Sequence, residues 1–347
     1  EGSFEMYVLL AILLFGFLVF IHELGHYTAA RACGVKVEEF SIGMGPKIIS
    51  KKSKKTGIAY SLRLFPVGGF VSMDGENESS DDKNALCNKP VWQRIIITAA
   101  GPAMNLVLGF LLMIALVVST GHLASNTIDK FRDVSISDLS GLKAGDTIIY
   151  VNRTRVHTGN EVVYEIMMQG SEPVDLRVIR NGTEMYIPNV VFPCQTESGI
   201  KIGVYDFKVK AQPLTFGSVL KHSWFRSMST VKMVWDSLGG LIKGKYGFEA
   251  MSGPVGVTEQ ITQVAKTGEK LNLLYMFIVI SINLGVMNLL PIPALDGGHL
   301  FFYILELIFG RPVVDRNVEN YIHVIGLLIL LGFIGIISVK DVLHLFK

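Results

Sequence analysis

Four long apolar runs limit what this chain can fold into. They cover approximately residues 7–30, 95–118, 271–290 and 321–338 of the 347-residue sequence. A helix needs about 20 apolar residues to cross the hydrocarbon layer of a bilayer, and each run has roughly that length. Half of all residues are hydrophobic and only 18% are charged, which is too apolar for an ordinary soluble protein. The sequence therefore predicts four transmembrane helices and a polar region between the second and the third.

The first apolar run contains the motif His22-Glu-Leu-Gly-His26 near its end. Residues four apart lie on one face of a helix, so both imidazoles can face one metal ion. Glu23 projects from an adjacent position, beside the water that such an ion would activate. This spacing is typical of zinc metalloproteases, in which the glutamate is the general base. Ionisable groups at membrane depth are costly, and they usually mark a functional site.

A catalytic zinc site needs a third protein ligand and one open position. Asp296 is the predicted third ligand, because it follows the third apolar run and lies on the same predicted side as the histidines. Pro291, Pro293 and the glycines after Asp296 interrupt the helix, which allows the carboxylate to turn inward. His299 is the alternative ligand. His323 is one of five scattered histidines that receive no predicted role.

Basic residues predict the orientation of the chain in the membrane. The segment between the first two runs, residues 31–94, holds eleven Lys and Arg residues, whereas the segment before the first run has none. Segments rich in Lys and Arg beside a span stay in the cytoplasm. Residues 31–94 are therefore predicted to be cytoplasmic and residues 119–270 to be outside. The histidine motif then lies in the cytoplasmic half of the bilayer.

Residues 57–73 are the predicted β-hairpin of the cytoplasmic segment. Residues 57–65 alternate partly with a period of two, residues 66–69 form a Pro-Val-Gly-Gly turn signal, and residues 70–73 are the predicted return strand. An exposed strand edge beside a protease site can hold a substrate in extended form and expose its peptide bonds. A packed hairpin without substrate contact is the alternative.

The predicted outer region has two parts. Residues 121–210 contain short β-like runs around residues 141–152, with a helix predicted over 161–168. The pattern Leu-Lys-Ala-Gly-Asp followed by Val-Asn resembles a PDZ domain, which usually adds a peptide to a sheet edge, although a plug that only restricts access is the alternative. Residues 214–245 carry an apolar stripe at helical spacing, which predicts a helix in the outer membrane interface or one packed on the PDZ-like domain.

The motifs together resemble one known family. His22-Glu-Leu-Gly-His26, combined with Asn288-x-x-Pro-x-Pro-x-Leu-Asp296-Gly, looks like the site-2 protease family of intramembrane zinc metalloproteases. The bacterial branch with a PDZ domain between the second and third core spans, of the regulator of sigma-E protease type, is the most similar. Further matching segments are Gly43-Met-Gly-Pro46, Gly101-Pro-x-x-Asn105 and Ser252-Gly-Pro-Val-Gly256. The resemblance covers nearly the whole chain.

The resemblance implies a zinc-dependent endopeptidase that cleaves transmembrane segments of single-span membrane proteins. Its substrates would be anti-sigma factors or signal-peptide remnants that another protease has already shortened. It also implies that the hairpin enters the membrane and contacts substrate. The residues expected near bound substrate are Asn288, Asn283, Asn105, Gly68, Gly69 and Phe70. Helix packing is the alternative for Asn105, as polar groups in spans often hold helices together.

The expected fold is a polytopic α-helical membrane protein with about four transmembrane helices, a membrane-associated β-hairpin and one extracytoplasmic PDZ-like α+β domain. The predicted parts are residues 1–120 with the first two spans and the hairpin, 121–210 as the PDZ-like domain, 211–250 as the interfacial helix region, and 251–347 with the last two spans. The expected location is a bacterial inner membrane, with the active site toward the cytoplasmic side.

Two other functional classes fit part of the sequence. One is a zinc-binding membrane transporter, and the other is a membrane-tethered PDZ adaptor with an inactive protease core. Glu23 argues against both, because neither needs a carboxylate at that spacing. The predicted partners are the lipid bilayer and transmembrane protein substrates, and the net charge of +2 gives no reason to expect nucleic acid. Three widely separated cysteines predict neither a disulfide framework nor a cysteine zinc cluster.

Overall fold

The computed structural model describes residues 2–76, 80–197, 200–244 and 251–345. The chain divides into two compact units, one built from residues 1–109 and 234–347 and the other from residues 110–233. Residue 1 and residues 245–250 fall within the predicted parts 1–120 and 211–250, and they lie outside the described residues. The division into four functional parts stays a prediction.

The described residues contain eight α-helices. In chain order they are α1 Gly2–Ala32, α2 Val91–Ser119, α3 Gly159–Gln169, α4 Phe216–Ile242, α5 Pro254–Lys266, α6 Lys270–Asn288, α7 Asp296–Phe309 and α8 Arg316–Leu345. Four of them include stretches long and apolar enough to cross a membrane: Met6–Ala32, Val91–Ser119, Lys270–Asn288 and Asn317–Leu343. These stretches coincide with the four predicted runs, as expected for a polytopic membrane protein.

Two of the shorter helices were missed from the sequence. No helix was predicted at the segment Ser252-Gly-Pro-Val-Gly256, yet α5 begins within it at Pro254. Proline suits a first helical turn because its missing N–H has no partner there. α7 begins at Asp296, directly after the prolines that end α6, and stops at Gly310, whose φ of 67° is left-handed. At 14 residues, α7 is too short to cross a bilayer as one span.

The predicted hairpin over residues 57–73 is wrong in its pairing. The structure has a long strand β1, Val37–Lys52, that pairs with a second long strand β2, Ala59–Met73. Ile42 of β1 is paired with both Gly69 and Leu62, so the two halves of β2 flank β1 and do not pair with each other. Proline and glycine can bend a strand that continues, so the signal at residues 66–69 did not specify a turn.

Glycines allow β1 to cross β2 at close range. Gly43 has a φ of 84°, and a Cβ atom there would lie 2.5 Å from the carbonyl oxygen of Phe65. A side chain is excluded at that position both by its left-handed backbone and by this contact. The segment Gly43-Met-Gly-Pro46 is therefore explained by the path of the strands. The base of β1 and β2 packs on the end of α1 through Ala30, Val37, Phe40 and Val71.

The unit formed by residues 110–233 contains the predicted β-rich region. Its remaining strands are β3 Leu123–Phe131, β4 Thr147–Val151, β5 Thr154–Arg155, β6 Val174–Arg180, β7 Thr183–Val190, β8 Cys194–Glu197, β9 Ile200–Gly203 and β10 Phe207–Gln212. The sheet order is β10-β3-β4-β6-β7, with β5 on β4 and a separate β8-β9 pair. Side chains such as Ile128, Ile148, Val162, Leu176 and Phe207 form its buried core. The PDZ-like assignment of this region stays a prediction.

Candidate active site

Three side-chain atoms that can bind a metal converge where α1 meets the start of α7. His22 and His26 lie one turn apart on α1, and their Nε2 atoms are 3.2 Å apart. Asp296 Oδ2 lies 3.1 Å from His22 Nε2 and 3.3 Å from His26 Nε2. A tetrahedral zinc ion with bonds of about 2.0–2.1 Å spaces its ligand atoms by about 3.3–3.4 Å. The three atoms therefore have the separations that one zinc ion requires.

The hydrogen bonding of Asp296 also fits a bound cation. Its Oδ2 atom is buried, and among the described residues neither the two neighbouring imidazole nitrogens nor any other group makes a well-aligned hydrogen bond to it. A buried carboxylate oxygen without a partner is costly, so such an atom normally faces a cation or a donor. Two imidazoles and one carboxylate form a catalytic type of zinc donor set, which leaves one position open. The chemistry of the residues thus agrees with zinc.

One face of α2 holds the two histidines from behind. His26 Nδ1 donates a hydrogen bond to the carbonyl oxygen of Ile97 over 2.9 Å, which leaves its Nε2 free to bind a metal. The amide of Asn105, which is fully buried, lies 3.3 Å from His22 Nδ1. Between them, Gly101 faces the His26 ring, and a Cβ atom there would lie 2.2 Å from His26 Nε2. Ile97, Gly101 and Asn105 are spaced four residues apart, as are His22 and His26.

A zinc ion on His22 would determine which amide atom of Asn105 must face the ring. A metal on His22 Nε2 requires the ring proton on Nδ1, so the neighbouring atom must be an acceptor. Asn105 Oδ1 has no hydrogen-bond partner among the described residues, and it can turn to accept that proton. Zinc on His22 Nε2 would therefore require Oδ1 of Asn105 to face the ring in place of Nδ2, which lies 3.3 Å from Nδ1 in this structure.

The close approach of α1 and α2 depends on the glycine inside the histidine motif. A Cβ atom at Gly25 would lie 2.3 Å from the carbonyl oxygen of Ala100. Any other residue would push the two helices apart. Such a shift would separate the histidine rings from the face of α2 that holds them.

A cavity of about 190 Å³ opens beside the three converging atoms. It is lined by His22, Glu23, His26, Phe70, Val71, Met73, Glu76, Leu86, Thr98, Asp296, His299 and Tyr303. Glu23 is half-buried, and its carboxyl faces the backbone N–H of Val71 in β2. The carboxylate thus lies between the metal-binding atoms and the strand, where a water molecule and a peptide could both reach it.

The sequence comparisons identify the family. The sequence pattern described as peptidase family M50 matches residues 10–333, which is nearly the whole chain. The chain belongs to peptidase family M50. This is the site-2 protease family, and its enzymes are zinc metalloproteases, so zinc is the metal of this M50 peptidase.

Several relatives match over almost their full length. A Clostridium acetobutylicum protein named "Putative zinc metalloprotease" is 36% identical, covering 97% of this chain and 97% of the relative. A Fusobacterium nucleatum protein with the same type of name is 33% identical, over 99% and 100%. The Bacillus subtilis "Regulator of sigma-W protease RasP" is 29% identical, over 98% and 99%. The M50 peptidase therefore resembles its relatives across both compact units.

The residues predicted from β2 lie at different distances from the cavity of this M50 peptidase. Phe70 lines it, and a Cβ atom at Gly69 would lie 3.3 Å from Glu23 Cγ. Gly68 instead faces the side chain of Met44, 2.8 Å from where its Cβ would be. The structure thus brings Gly69 and Phe70 to the site and turns Gly68 toward β1.

The two asparagines predicted from α6 do not line the described cavity. Asn288 is the last residue of α6, and its Nδ2 donates to the carbonyl oxygen of Leu284 over 3.0 Å. Asn283 is exposed on the same helix. Asn105 lies behind His22, away from the open side of the site. Substrate contact by these three residues stays a prediction.

His299, the alternative ligand, lines the cavity but belongs to a different cluster. Its Nδ1 lies 3.2 Å from Glu319 Oε1, and its ring stacks on that of His323. It is not one of the three residues, His22, His26 and Asp296, whose ligand atoms converge. Asp296 is therefore the residue whose position matches the predicted third ligand.

Sequence reasoning did not assign Ile97 or Gly101 to the site. Gly101 and Asn105 are spaced four apart within an apolar run, as are the two histidines. That shared spacing was the available signal, because two facing helices can match residues turn by turn. The contribution of Ile97 is a backbone carbonyl, which no side-chain pattern can reveal.

Proposed function

We propose that this M50 peptidase is an intramembrane endopeptidase that hydrolyses peptide bonds within the transmembrane segments of single-span membrane proteins. The observation that carries the proposal is the convergence of His22, His26 and Asp296 within 3.3 Å, with Glu23 beside them. The histidines and Glu23 lie within a stretch that can cross a membrane, Met6–Ala32. A substrate for such a site must itself reach membrane depth.

His22, His26 and Asp296 would hold the zinc ion. When bound, zinc would polarise the scissile carbonyl and lower the pKa of its water to about 7. Glu23 accepts the proton of the attacking water, whose oxygen bonds to the carbonyl carbon. Glu23 then gives that proton to the amine nitrogen as the carbon–nitrogen bond breaks. Ile97, Gly101 and Asn105 keep both rings turned toward the ion.

β2 is the proposed binding element for the substrate. A transmembrane helix satisfies its backbone groups internally, so its peptide bonds are protected until it unwinds. Phe70, Val71 and Met73 line the cavity, while residues 69–73 pair with β1 on one side. A substrate segment laid along this part of β2 in extended form would bring its peptide bonds to Glu23. Gly69 leaves the space that this approach needs.

Asn288 is proposed to contact the substrate backbone or the developing oxyanion. In the substrate-free enzyme its amide donates to Leu284 within its own helix. The amide is therefore paired until a stronger acceptor arrives, and α6 ends at that residue, where the backbone is less constrained. Loss of one oxyanion donor typically costs about 3 kcal/mol in transition-state stabilisation.

The proposed substrates are anti-sigma factors or signal-peptide remnants that another protease has shortened. The name of the B. subtilis relative, which refers to sigma-W regulation, supports a regulator of this kind. The proposed location is a bacterial inner membrane, with residues 31–94 in the cytoplasm and residues 119–270 outside. The β-rich unit is then an extracytoplasmic PDZ-like domain.

The faces of α4 support its proposed position in the outer interface. Its apolar stripe is exposed, with Trp224 and Trp235 both at 53% of their full accessibility. Polar residues on another face, including Ser223, Ser227 and Thr230, are buried. This is the reverse of a helix in water and suits one that contacts lipid headgroups and acyl chains.

One assay tests the proposed function. The full-length protein in detergent is incubated with a fluorescent single-span substrate, with and without a zinc chelator. We expect cleavage that the chelator abolishes and added zinc restores. Glu23→Gln is the matched control, since it preserves size and removes the base. Failure of the active wild-type preparation to cut any single-span substrate, while it cuts soluble unfolded protein, would contradict the intramembrane assignment.

A further inference from the structure

The buried ring of His323 on α8 contacts the loop that carries Asp296. His323 is 9% exposed, and its Nδ1 accepts a hydrogen bond from the backbone N–H of Ala294 over 3.1 Å. Ala294 precedes Asp296 by two residues and has a φ of 75°, in the left-handed region that only glycine adopts readily. The hydrogen bond thus reaches an unfavourable backbone conformation directly before the proposed zinc ligand.

α8 also contacts the other side of this turn. A Cβ atom at Gly298 would lie 2.9 Å from His323 Cε1, so the ring fits against α7 only because that position is glycine. One turn along α8, a Cβ atom at Gly326 would lie 2.4 Å from Pro293 Cβ. His323 and Gly326 therefore enclose the chain on both sides of Asp296.

The start of α7 has no side-chain cap of its own. Leu295 occupies the N-cap position, and its side chain makes no capping hydrogen bond. Helices that begin without a polar cap leave their first turn weakly held. The first residue of α7 is Asp296, so the direction of its carboxylate depends on contacts from outside the helix.

His323, His299 and Glu319 form a cluster of potential metal ligands, but their geometry excludes a shared ion. The two rings are stacked at 3.6 Å with planes 4° apart. A metal lies close to the plane of each imidazole that binds it, at about 2.0–2.1 Å, which two parallel rings cannot both satisfy. Moreover, a neutral His323 that accepts at Nδ1 carries its proton on Nε2, which removes that atom as a ligand.

We infer that His323 is a positioning residue, which holds the turn before α7 so that Asp296 Oδ2 reaches His22 and His26. The inference rests on the proposed function, because it assumes that these three residues bind zinc. The ring of His323 supplies the Nδ1 acceptor for the Ala294 N–H, and its flat shape fits beside Gly298. Stacking with His299, whose Nδ1 lies 3.2 Å from Glu319, supports the ring from its other face.

The test compares two replacements of His323 in the full-length protein. His323→Asn retains an acceptor near the place of Nδ1, whereas His323→Leu retains bulk without an acceptor. Zinc affinity is measured by competition with a chromophoric chelator, and thermal unfolding is measured on the zinc-free form. Val324→Ala is the control, since Val324 is a neighbour on α8 that is 54% exposed.

We expect His323→Leu to bind zinc about 10-fold to 100-fold more weakly, the range typical for loss of a group that orients a metal ligand. His323→Asn and Val324→Ala should bind it within about threefold of the wild type on the same scale. The zinc-free His323→Leu protein should also unfold at a lower temperature, because it leaves the Ala294 N–H without its acceptor, so zinc affinity is the readout that tests the positioning role.

A second substitution, at Ala294, tests the same role of His323. Glycine adopts a positive φ without strain, so Ala294→Gly should recover part of the zinc affinity lost in His323→Leu. A purely structural role for His323 would predict equal losses of zinc affinity for Asn and Leu and no recovery by glycine. That pattern, or unchanged zinc binding in His323→Leu, would overturn the inference. Wild-type protein that binds no zinc would instead contradict the proposed function.

Discussion

The side-chain amide of Asn105 on α2 lies 3.3 Å from Nδ1 of His22 on α1. Asn105 is fully buried, and its oxygen has no hydrogen-bond partner among the described residues. A histidine that binds zinc through Nε2 needs an acceptor at Nδ1, both to fix its proton and to hold the ring. The contact with His22 therefore gives Asn105 a role other than the predicted contact with substrate, which is to support a residue of the metal site.

The first prediction concerns that support. Asn105→Leu removes the acceptor, and we expect zinc affinity to fall by about 10-fold to 100-fold. Asn105→Asp keeps an acceptor of nearly the same size and should bind zinc more tightly than the leucine variant. Chelator competition on purified protein measures both. Equal zinc affinity in the leucine variant and the wild type would show that the contact does not orient His22.

The second prediction concerns Gly101, which faces the ring of His26. In Gly101→Ala the new methyl group would lie 2.2 Å from His26 Nε2, so the ring must leave its position. We expect loss of zinc and loss of cleavage. Gly332→Ala on α8 is the matched control, because a Cβ atom there meets nothing within 4 Å. Zinc content after dialysis is the measurement, and a zinc-loaded Gly101→Ala protein would contradict the packing described.

The third prediction separates metal binding from proton transfer. Glu23→Gln should retain zinc and lose at least about 100-fold in cleavage rate, as expected when a general base is removed. His22→Ala and Asp296→Ala should lose zinc as well as activity. Metal analysis together with single-turnover cleavage checks all three variants. Full zinc content in Asp296→Ala would remove that residue from the proposed ligand set.

The parts of this fold that were predictable depend on local patterns. The four apolar runs specify helices by length alone, and the His22–His26 spacing specifies one helical face. Asp296 is separated from that pair by most of the sequence. It was predicted because a catalytic zinc site requires a third ligand on the same side of the membrane. Its Oδ2 lies within 3.3 Å of both histidine Nε2 atoms, and its role as a ligand stays a prediction.

The parts that were missed depend on contacts between distant segments. The signal at residues 66–69 is compatible with a turn or with a bent strand, and only the position of β1 decides between them. His323 looked like a scattered histidine because its partner is a backbone N–H, which has no sequence signature. Likewise, the segment Ser252-Gly-Pro-Val-Gly256 gave no indication of the helix that starts inside it.

The last prediction concerns Asp341 on α8, which contacts the glycines of the segment Ser252-Gly-Pro-Val-Gly256. Asp341 is buried, and its Oδ2 accepts hydrogen bonds from the backbone N–H groups of Gly253 and Gly256 over 2.8 and 2.9 Å. The carboxylate therefore caps the start of α5 from another helix, since Gly253 at the N-cap has no side chain to do so.

Asp341→Ala should destabilise the protein by about 1–3 kcal/mol, because it leaves the buried N–H of Gly253 and the half-buried N–H of Gly256 without an acceptor. Asp341→Asn retains one acceptor and should lose less. Gly256→Ala should also destabilise, since a Cβ atom there would lie 2.9 Å from Asp341 Oδ2, whereas Gly335→Ala on α8 meets nothing within 4 Å. Thermal unfolding in detergent measures each change, and zinc affinity should stay unchanged because this cap does not contact the ligands. An Asp341→Ala protein as stable as the wild type would refute the cap.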